Sequence, residues 1–280
     1  MSRQENPLLS IRYAAAEIEN LLTECSEIFK VFNKQDSGCV SYGVRLPSEE
    51  RLFVKHAETA NAVAYLKQSE TFHSEVKHPA LPKLLHSFPT LNGYAHVYDW
   101  VEGEVLGSPD FPGKEGRNRP DSPHYRFRHL PVTRILQALN TIYEVHSYLE
   151  EQGYVAVDFY DGCMIYDFQL HELHLCDFDY YHKGAFQLEK DRLFGSSRFM
   201  APEEFIRGRR IDWRTNVYTM GATAFVFLAN ASRNRNDWRA SEALYQVAAK
   251  AASPIREERY DSVRNFYKAR RQAWLSSVNP

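Results

Sequence analysis

A chain of 280 residues is long enough for one large domain or for two lobes that share a core. Its composition is typical of a globular protein, with 44% hydrophobic and 25% charged residues. The formal net charge of −2 supplies no global basic field, so we expect neither nucleic acid nor a membrane as a partner. The cysteines show no metal-ligand spacing, and the amino-terminal segment lacks the apolar core of a signal peptide. These two features predict a cytoplasmic protein with free thiols.

The first hundred residues alternate between helical and strand-like patterns. Apolar residues at helical spacing predict an amphipathic helix over 10–24, and residues 59–77 predict a second helix that ends before His78-Pro79. Short β-prone runs are separated by turn residues. These runs span 28–32, 39–44, 51–55, 84–88 and 94–98. The first three predict an antiparallel meander.

Beyond residue 100 the pattern is mainly helical. Residues 107–126 are rich in proline, glycine and charge, which predicts a solvent-exposed insertion. Residues 132–152 carry apolar side chains at helical spacing, and Gly153 supplies the stop. The chain is therefore expected to be α+β in three parts: a helical extension over 1–26, a small antiparallel β-rich lobe over 27–100 and a larger, mainly helical lobe over 101–280.

Three motifs follow one another in the second half of the chain. Asp158 stands at a turn in an apolar segment over 154–167, and Asp177 follows 19 residues later in Cys-Asp-Phe-Asp. An Ala-Pro-Glu motif then ends at Glu203. This order resembles the catalytic half of the protein-kinase family, in which a catalytic loop precedes a metal-binding D-F-G and an A-P-E. The resemblance covers residues 27–275 and rests on the ordered spacing, because no single motif is intact.

The resemblance implies a bilobal protein-kinase-like fold that uses ATP and Mg²⁺ to transfer the γ-phosphoryl group to a hydroxyl. Lys55, at the end of a predicted strand, matches the lysine that contacts the phosphates. Its helix partner is expected to be Glu70, with Glu75 as the alternative. Asp99 and Val101 match the segment whose backbone binds the adenine edge.

The glycine-rich loop that covers the phosphates in this family is eroded here. Asn33 and Gln35 replace its first two glycines, and only Gly38 and Val40 of the pattern remain. Because glycine lets backbone N–H groups approach a phosphate, this loss predicts a weakened nucleotide affinity.

The catalytic loop departs most from the family. Asp158 keeps the position of the base that orients or accepts the hydroxyl proton. Val157 replaces the arginine that binds a phosphorylated activation loop, and Tyr160 stands where Ser/Thr kinases carry a phosphate-stabilising lysine. We therefore expect any activity to be independent of activation-loop phosphorylation.

The metal site is altered at two positions. Asp177 matches the first Mg²⁺-binding carboxylate, whereas Cys163 replaces the asparagine that binds the second ion. A neutral thiol is a poor ligand for this hard cation. Asp179 replaces the glycine of D-F-G, and it either supplies a second metal oxygen or caps a turn.

Two features of the large lobe match the family scaffold. Glu203 is expected to form a buried ion pair with Arg259. Asn216 replaces the aspartate that braces the catalytic loop, and its side chain can still accept a backbone hydrogen bond.

The motifs support three functional hypotheses. The first is a Ser/Thr protein kinase, or a close phosphotransferase relative, that acts on a protein or small-molecule hydroxyl. The second is a pseudokinase, a nucleotide-responsive binding or scaffold protein, and the changes at Asn33, Gln35, Tyr160 and Cys163 favour it. The third is a small-molecule kinase of the aminoglycoside or choline type. The Ala-Pro-Glu motif with its partner Arg259, and Ser196-Ser197 before it, favour a protein kinase over this third hypothesis.

Overall fold

The computed structural model describes residues 6–34 and 38–278. The chain forms two compact units, of which the first ends at Glu102 and the second begins at Gly103. The first unit is built on a five-stranded antiparallel sheet and the second mainly on helices, which confirms the α+β class.

The described part of the first unit contains two α-helices and five strands. In chain order they are α1 (Ile18–Cys25), β1 (Glu27–Phe32), β2 (Cys39–Arg45), β3 (Arg51–Ala57), α2 (Ala60–Glu75), β4 (Leu84–Thr90) and β5 (Gly93–Asp99). Neighbouring strands are antiparallel in the order β1-β2-β3-β5-β4, so the predicted meander is present and β5 lies between β3 and β4. Helix α2 begins where the Thr59 hydroxyl accepts the Ala62 N–H at 3.3 Å.

The amino-terminal segment covers one face of this sheet. Ile18 and Leu22 on α1 are buried against apolar side chains of the strands. The predicted helix over 10–24 is wrong at its start, because α1 begins only at Ile18. Ahead of α1, the Ala14 N–H donates to the Pro89 carbonyl at 3.0 Å, and a backbone group that pairs with β4 is not available to a helix.

The described part of the second unit combines helices with short strands. In chain order they are β6 (Glu104–Val105), α3 (Gly113–Arg117), α4 (Pro123–Arg128), α5 (Val132–Glu151), β7 (Tyr154–Val155), β8 (Met164–Asp167), β9 (Glu172–Leu175), β10 (His182–Lys183), β11 (Phe186–Gln187), β12 (Arg210–Ile211), α6 (Trp213–Ala229), α7 (Glu242–Ala251) and α8 (Val263–Val278). Strands β6, β8 and β9 form one small sheet, while β7 pairs with β10 and β11 with β12. The predicted helix over 132–152 is confirmed as α5.

The predicted exposed insertion over 107–126 is instead partly buried. It contains α3 and the start of α4, and the side chains of Ser122 and His124 are at most 2% exposed. The reason is that α4 packs against α6, where the Phe127 ring meets the Phe227 ring edge-on at 4.8 Å.

Helix α6 forms much of the core of the second unit. Asp212 caps its first turn by accepting the Arg214 N–H at 2.9 Å. At the other end, Asn230 adopts φ 53° and ends the helix in the left-handed conformation. Although α6 is apolar, no helix among residues 6–34 and 38–278 is both long enough and apolar enough to cross a membrane.

Candidate functional site

The two candidate catalytic carboxylates follow strand ends and share an unusual backbone conformation. Asp158 follows β7 with φ 63°, and Asp177 follows β9 with φ 65°. The left-handed conformation costs a non-glycine residue roughly 1–3 kcal/mol, although aspartate tolerates it better than most residues. Such strain persists only where surrounding contacts enforce it, and it is concentrated at functional sites.

Cys163 connects the two loops. Its thiol donates to the Asp158 carbonyl at 3.2 Å, and its own carbonyl accepts the Cys176 N–H at 3.0 Å. Burial raises the pKa of the Cys163 thiol well above its ordinary value, and the charges of Asp177 and Asp158 raise it further. Cys163 is therefore a neutral hydrogen-bond donor, because burial and the neighbouring carboxylates outweigh the backbone hydrogen bond at Tyr160, which favours the thiolate that a metal ion would need.

A buried histidine and a buried tyrosine support these loops from the protein interior. His146 Nδ1 lies 2.8 Å from the Ile142 carbonyl, and Nε2 lies 2.9 Å from the Tyr181 hydroxyl. Since a carbonyl can only accept, Nδ1 carries the proton and Nε2 accepts from Tyr181. Burial lowers the pKa of His146 to about 4, so the ring is neutral at pH 7. The Phe159 ring, next to Asp158, packs edge-on against His146 at 4.3 Å.

Helix α6 fixes the start of the loop that carries Asp158. The Asn216 side-chain oxygen accepts the Ala156 N–H at 2.9 Å, and both residues are buried. This contact confirms the prediction that Asn216 accepts a backbone hydrogen bond in place of an aspartate. Because the amide is neutral, the bond has no charge assistance.

The segment after β11 runs beside the Asp158 carboxylate. A Cβ atom built on Gly195 would lie 3.6 Å from Asp158 Oδ1, so the Gly195 backbone passes close to the carboxylate. The loop that carries Asp158 and this segment enclose a recess that is lined by Asp158, Phe159, Gly195, Phe199 and Met200, among others. The Asp158 side chain thus lies between its own loop and the segment around Gly195, both in the second unit.

The predicted ion pair between Glu203 and Arg259 is confirmed. Arg259 Nη1 and Nη2 lie 2.6 and 2.9 Å from the two Glu203 oxygens, and the Arg259 side chain is fully buried. Glu203 also accepts from the Thr215 hydroxyl at 2.9 Å and lies 3.1 Å from Arg256 Nη1. The pair therefore anchors the Ala-Pro-Glu segment to the first turn of α6 and to the segment before α8.

The adjacent carboxyl group, Glu204, should make the stability of the protein depend on pH. Burial raises the pKa of Glu204 from 4.5 to about 8, and the charges of Glu203 and Asp158 contribute. The stabilising contribution of its neutral form is therefore complete below pH 4.5 and is lost as the pH rises to about 8. We expect Glu204→Gln, which keeps an acceptor for the Ala201 N–H, to remove this loss. Chemical denaturation across the range measures it, and parallel profiles for variant and wild type would contradict it.

Tyr160 folds back onto its own loop. Its ring lies over Gly162, where a Cβ atom would overlap with the ring. The same turn is also bound by the segment that follows β6, because the Gly107 N–H donates to the Asp161 carbonyl at 2.8 Å. Tyr160 is therefore part of the packing of the loop that carries Asp158.

The sequence analysis missed an ion cluster in the same loop. Asp161 is 1% exposed and lies 2.8 Å from His124 Nδ1, while Arg198 donates to both of its oxygens at 2.7 and 2.9 Å. Burial acts to raise the pKa of Asp161, but His124 and Arg198 outweigh it and the pKa is lowered. Each partner is 37 residues away in the sequence, so no local pattern indicates the cluster.

In the first unit, Lys55 belongs to a row of polar side chains across the sheet. The antiparallel register pairs Lys55 with Ser41 on β2 and with His96 on β5. All three side chains are buried, and Ser41 Oγ has no hydrogen-bond partner in the described part of the chain. Buried polar atoms without partners are rare in folded proteins, and each one calls for an explanation such as a ligand or a water molecule.

Val40 lies on the opposite face of β2. Side chains alternate between the two faces of a strand, and Val40 packs against the apolar core beneath α1. The register therefore gives Ser41, and not Val40, the β2 position that shares a face with Lys55. Side chains on the same face of a strand are two residues apart, and this spacing along β2 and β3 is the sequence signal that indicates Ser41. The alignment with the family motif indicates its neighbour Val40 instead.

Glu70 on α2 contacts strand β5. Its Oε1 accepts from the Tyr94 hydroxyl at 2.5 Å and lies 3.4 Å from His96 Nε2. Burial acts to raise the pKa of Glu70, but the hydrogen bonds from Tyr94 and other neighbours outweigh it and the pKa is lowered. Glu70 therefore reaches the histidine that pairs with Lys55 in the sheet register.

The other predicted nucleotide contacts lie at strand ends. Gly38 directly precedes β2 and has φ 72°, a conformation that favours glycine. Asp99 ends β5, where its Oδ1 accepts the Lys83 N–H at 2.5 Å, and Val101 follows in an irregular segment. Gln35 lies outside the described residues.

The acidic residues near β9 have the chemistry that Mg²⁺ requires. Among the described residues, no three His, Cys, Asp or Glu side chains form a group that could hold a metal ion. Mg²⁺ does not need such a group, because one or two carboxylates suffice when phosphate and water complete its shell. Asp177 and Asp179 supply suitable oxygens, whereas the neutral Cys163 thiol does not.

No protein-family model matches the chain, and no curated protein matches it. The functional interpretation therefore rests on the motifs and on the geometry within each of the two units.

Proposed function

We propose that this protein is an ATP- and Mg²⁺-dependent phosphotransferase of the protein-kinase type, which transfers the γ-phosphoryl group to a hydroxyl. The observation that carries the proposal is the arrangement of Asp158 and Asp177, two left-handed residues on loops that Cys163 ties together. Phosphoryl transfer requires one carboxylate near the acceptor hydroxyl and another for the metal ion. Two carboxylates held on connected loops support this assignment.

Each residue has a distinct role in this proposal. Asp158 orients the acceptor hydroxyl and takes its proton. Asp177, with Asp179, holds Mg²⁺, which neutralises charge on the phosphates when it is bound. Lys55 supplies the cation that contacts the phosphates, and the orphaned Ser41 hydroxyl on the same sheet face offers a donor to the nucleotide.

Nucleotide should stabilise the protein most strongly in the presence of Mg²⁺. A ligand that binds only the native state, at about 100 times its Kd, adds about 2.7 kcal/mol to the free energy of unfolding. Thermal melting with ATP, with and without Mg²⁺, measures this effect. Asp177→Asn should lose the Mg²⁺-dependent part, since asparagine tolerates φ 65° but brings no charge. Identical melting with and without ATP would overturn the proposal.

Turnover should not depend on phosphorylation of Ser196 or Ser197. Val157, at the position of the family's phosphate-binding arginine, is 5% exposed and packs in an apolar cluster with Leu193 and Met200. The segment before Ala-Pro-Glu is thus held by apolar contacts, and a valine forms no charge-assisted bond with a phosphate. Phosphatase treatment and Ser196→Ala or Ser197→Ala variants should leave turnover unchanged. Loss of turnover after phosphatase treatment would show that phosphate is required.

A second candidate function, a pseudokinase, is favoured by the contacts of Cys163 and Tyr160. Both stand where the family has groups that act on the nucleotide, and here both are engaged in packing the loop. A pseudokinase binds nucleotide and alters its affinity for a partner without turnover. Stabilisation by ATP that does not require Mg²⁺, together with no transfer of labelled phosphate to any acceptor, would establish this second function over the first.

A further inference from the structure

The loop that carries Asp158 lies beside the segment 195–200, which precedes the Ala-Pro-Glu motif, and the two are in contact at two places. At the first place, the Gly195 backbone passes close to the Asp158 carboxylate. At the second, Arg198 Nη2 donates to the two Asp161 oxygens at 2.7 and 2.9 Å. The ion pair between Arg198 and Asp161 therefore ties the segment to the loop close to the candidate base.

The carboxylate end of this ion pair is held by elements outside the segment. The Asp161 carbonyl accepts the Gly107 N–H at 2.8 Å, and Asp161 Oδ2 lies 2.8 Å from His124 Nδ1 on α4. The His124 ring in turn packs against the Phe227 ring of α6 at 5.7 Å. Asp161 is 1% exposed and its pKa is lowered, so it is charged at neutral pH. Arg198 thus pairs with a charge that the interior of the unit keeps in place.

The guanidinium end belongs to one wall of the recess around Asp158. Phe199 and Met200 directly follow Arg198, and both side chains line this recess. The Phe199 N–H donates to the Ser196 carbonyl at 2.9 Å and closes a turn, and the Arg198 guanidinium lies 5.1 Å from the centre of the Phe199 ring. A displacement of Arg198 would therefore move this wall relative to the Asp158 carboxylate.

Apolar contacts also hold the segment 195–200, but they constrain it less. Phe199 and Met200 are buried, and the burial of apolar surface has no preferred direction. Charge-assisted hydrogen bonds are short and depend on geometry. An arrangement of the segment that took Arg198 away from Asp161 would leave a buried carboxylate without its main partner, which is strongly unfavourable. The ion pair therefore selects one position of the segment.

We propose that Arg198 is a positioning residue, which through its ion pair with Asp161 holds the wall of Phe199 and Met200 in place beside Asp158. The wall keeps the acceptor hydroxyl aligned with Asp158, and no phosphate on the segment is needed. Arg198 itself takes no part in the chemical step. Its effect on transfer rests on the proposed phosphotransferase function, whereas its effect on the position of the segment does not.

The test uses the full chain and four variants. Arg198→Gln removes the cation, and Arg198→Lys restores a cation at the same position. A double variant, Arg198→Gln with Asp161→Asn, keeps two groups that can form a neutral hydrogen bond and leaves no buried charge, so it should fold even if Arg198→Gln does not. Arg207→Gln is the matched control, because Arg207 is exposed and lies just beyond the Ala-Pro-Glu motif.

Amide hydrogen exchange reports the position of the segment 195–200 without any activity. We expect the Phe199 amide to exchange at least about tenfold faster in the double variant, and near the wild-type rate in Arg198→Lys and Arg207→Gln. Amides of α5 should be unchanged, which shows that the effect is local. Wild-type exchange at Phe199 in the double variant would overturn the proposal, since apolar contacts would then suffice. Equally faster exchange in α5 would also overturn it, because the ion pair would then serve only overall stability.

Phosphoryl transfer from ATP separates this inference from the proposed function. We expect the double variant to lose at least about tenfold in kcat, because a small misplacement near the reacting groups is costly, while Arg198→Lys recovers most of the rate. The KM for ATP should stay the same, since Lys55 and Asp177 are not altered. Wild-type kcat in the double variant would overturn the positioning role. A local change in exchange together with no transfer by wild type would keep the position of the segment and remove the proposed function.

Discussion

Arg259→Ala should lower the free energy of unfolding by about 3–5 kcal/mol, because it leaves the Glu203 carboxylate buried without its main partner. Arg259 is fully buried, holds both Glu203 oxygens and also donates from Nε to the Ser253 carbonyl at 2.8 Å. Since Arg256 remains 3.1 Å from Glu203, we expect the lower half of this range. Urea denaturation at neutral pH measures the loss.

An exposed ion pair of the same unit provides the control. Arg264 pairs with Glu151, and their side chains are 55% and 44% exposed. Exposed pairs contribute about 0.2–1 kcal/mol, so Arg264→Ala should change the free energy of unfolding only slightly. If Arg259→Ala were as stable as Arg264→Ala, the buried pair would have no structural role.

The effect of Arg259→Ala should also depend on pH. Burial acts to raise the pKa of Glu203, but the hydrogen bonds and the charge of Arg259 outweigh it, so the pKa is lowered in the folded protein. A carboxylate with a lowered folded pKa stabilises the protein above its ordinary pKa, and this stabilisation is lost as the pH falls through the folded pKa. The difference between wild type and variant should therefore shrink in acid.

Asp158→Asn should reduce phosphoryl transfer by about 10²–10⁴-fold while the protein stays folded. Asparagine has the same shape, accepts hydrogen bonds and tolerates φ 63°, so the loop keeps its conformation. What the variant loses is the ability to take a proton from the acceptor hydroxyl. Transfer of labelled phosphate from ATP gives the rate, and ATP-dependent melting shows that the nucleotide still binds.

A carboxylate on the neighbouring hairpin serves as the control for this change. Glu172 is exposed on β9, and Glu172→Gln removes the same charge away from the recess around Asp158. Its rate should match that of wild type. An Asp158→Asn protein with wild-type transfer would exclude Asp158 as the base.

Several structural features could be predicted because local patterns encode them. Helix α5 follows from apolar residues at helical spacing and from Gly153, which has φ 81° and follows the helix end. The Glu203–Arg259 pair follows from two motifs in the expected order. In each of these cases the information lies within a short stretch of sequence or in a known spacing.

Other features could not be predicted because they depend on residues distant in the chain. Helix α1 begins late because Ala14 pairs with Pro89 on β4. The helical spacing of apolar residues in the sequence does not indicate this contact. The segment 107–126 is polar in composition, yet part of it is buried because α4 packs against apolar side chains of α6. Tertiary packing overrides local composition in both places.

The features of the candidate site can likewise be separated into those that the sequence indicates and those that depend on the tertiary structure. The sequence by itself determined the α+β class and the order of the motifs, since spacing along the chain carries that information. The roles of Asp158 and Asp177 are what the resemblance to protein kinases implies. Only the tertiary structure decided that Cys163 is a neutral thiol joining two loops and that Ser41 shares the sheet face of Lys55. It also brought His124, Asp161 and Arg198 together from three separate segments. Burial, strand register and charge balance are properties of groups that meet in space, and no single stretch of sequence contains them.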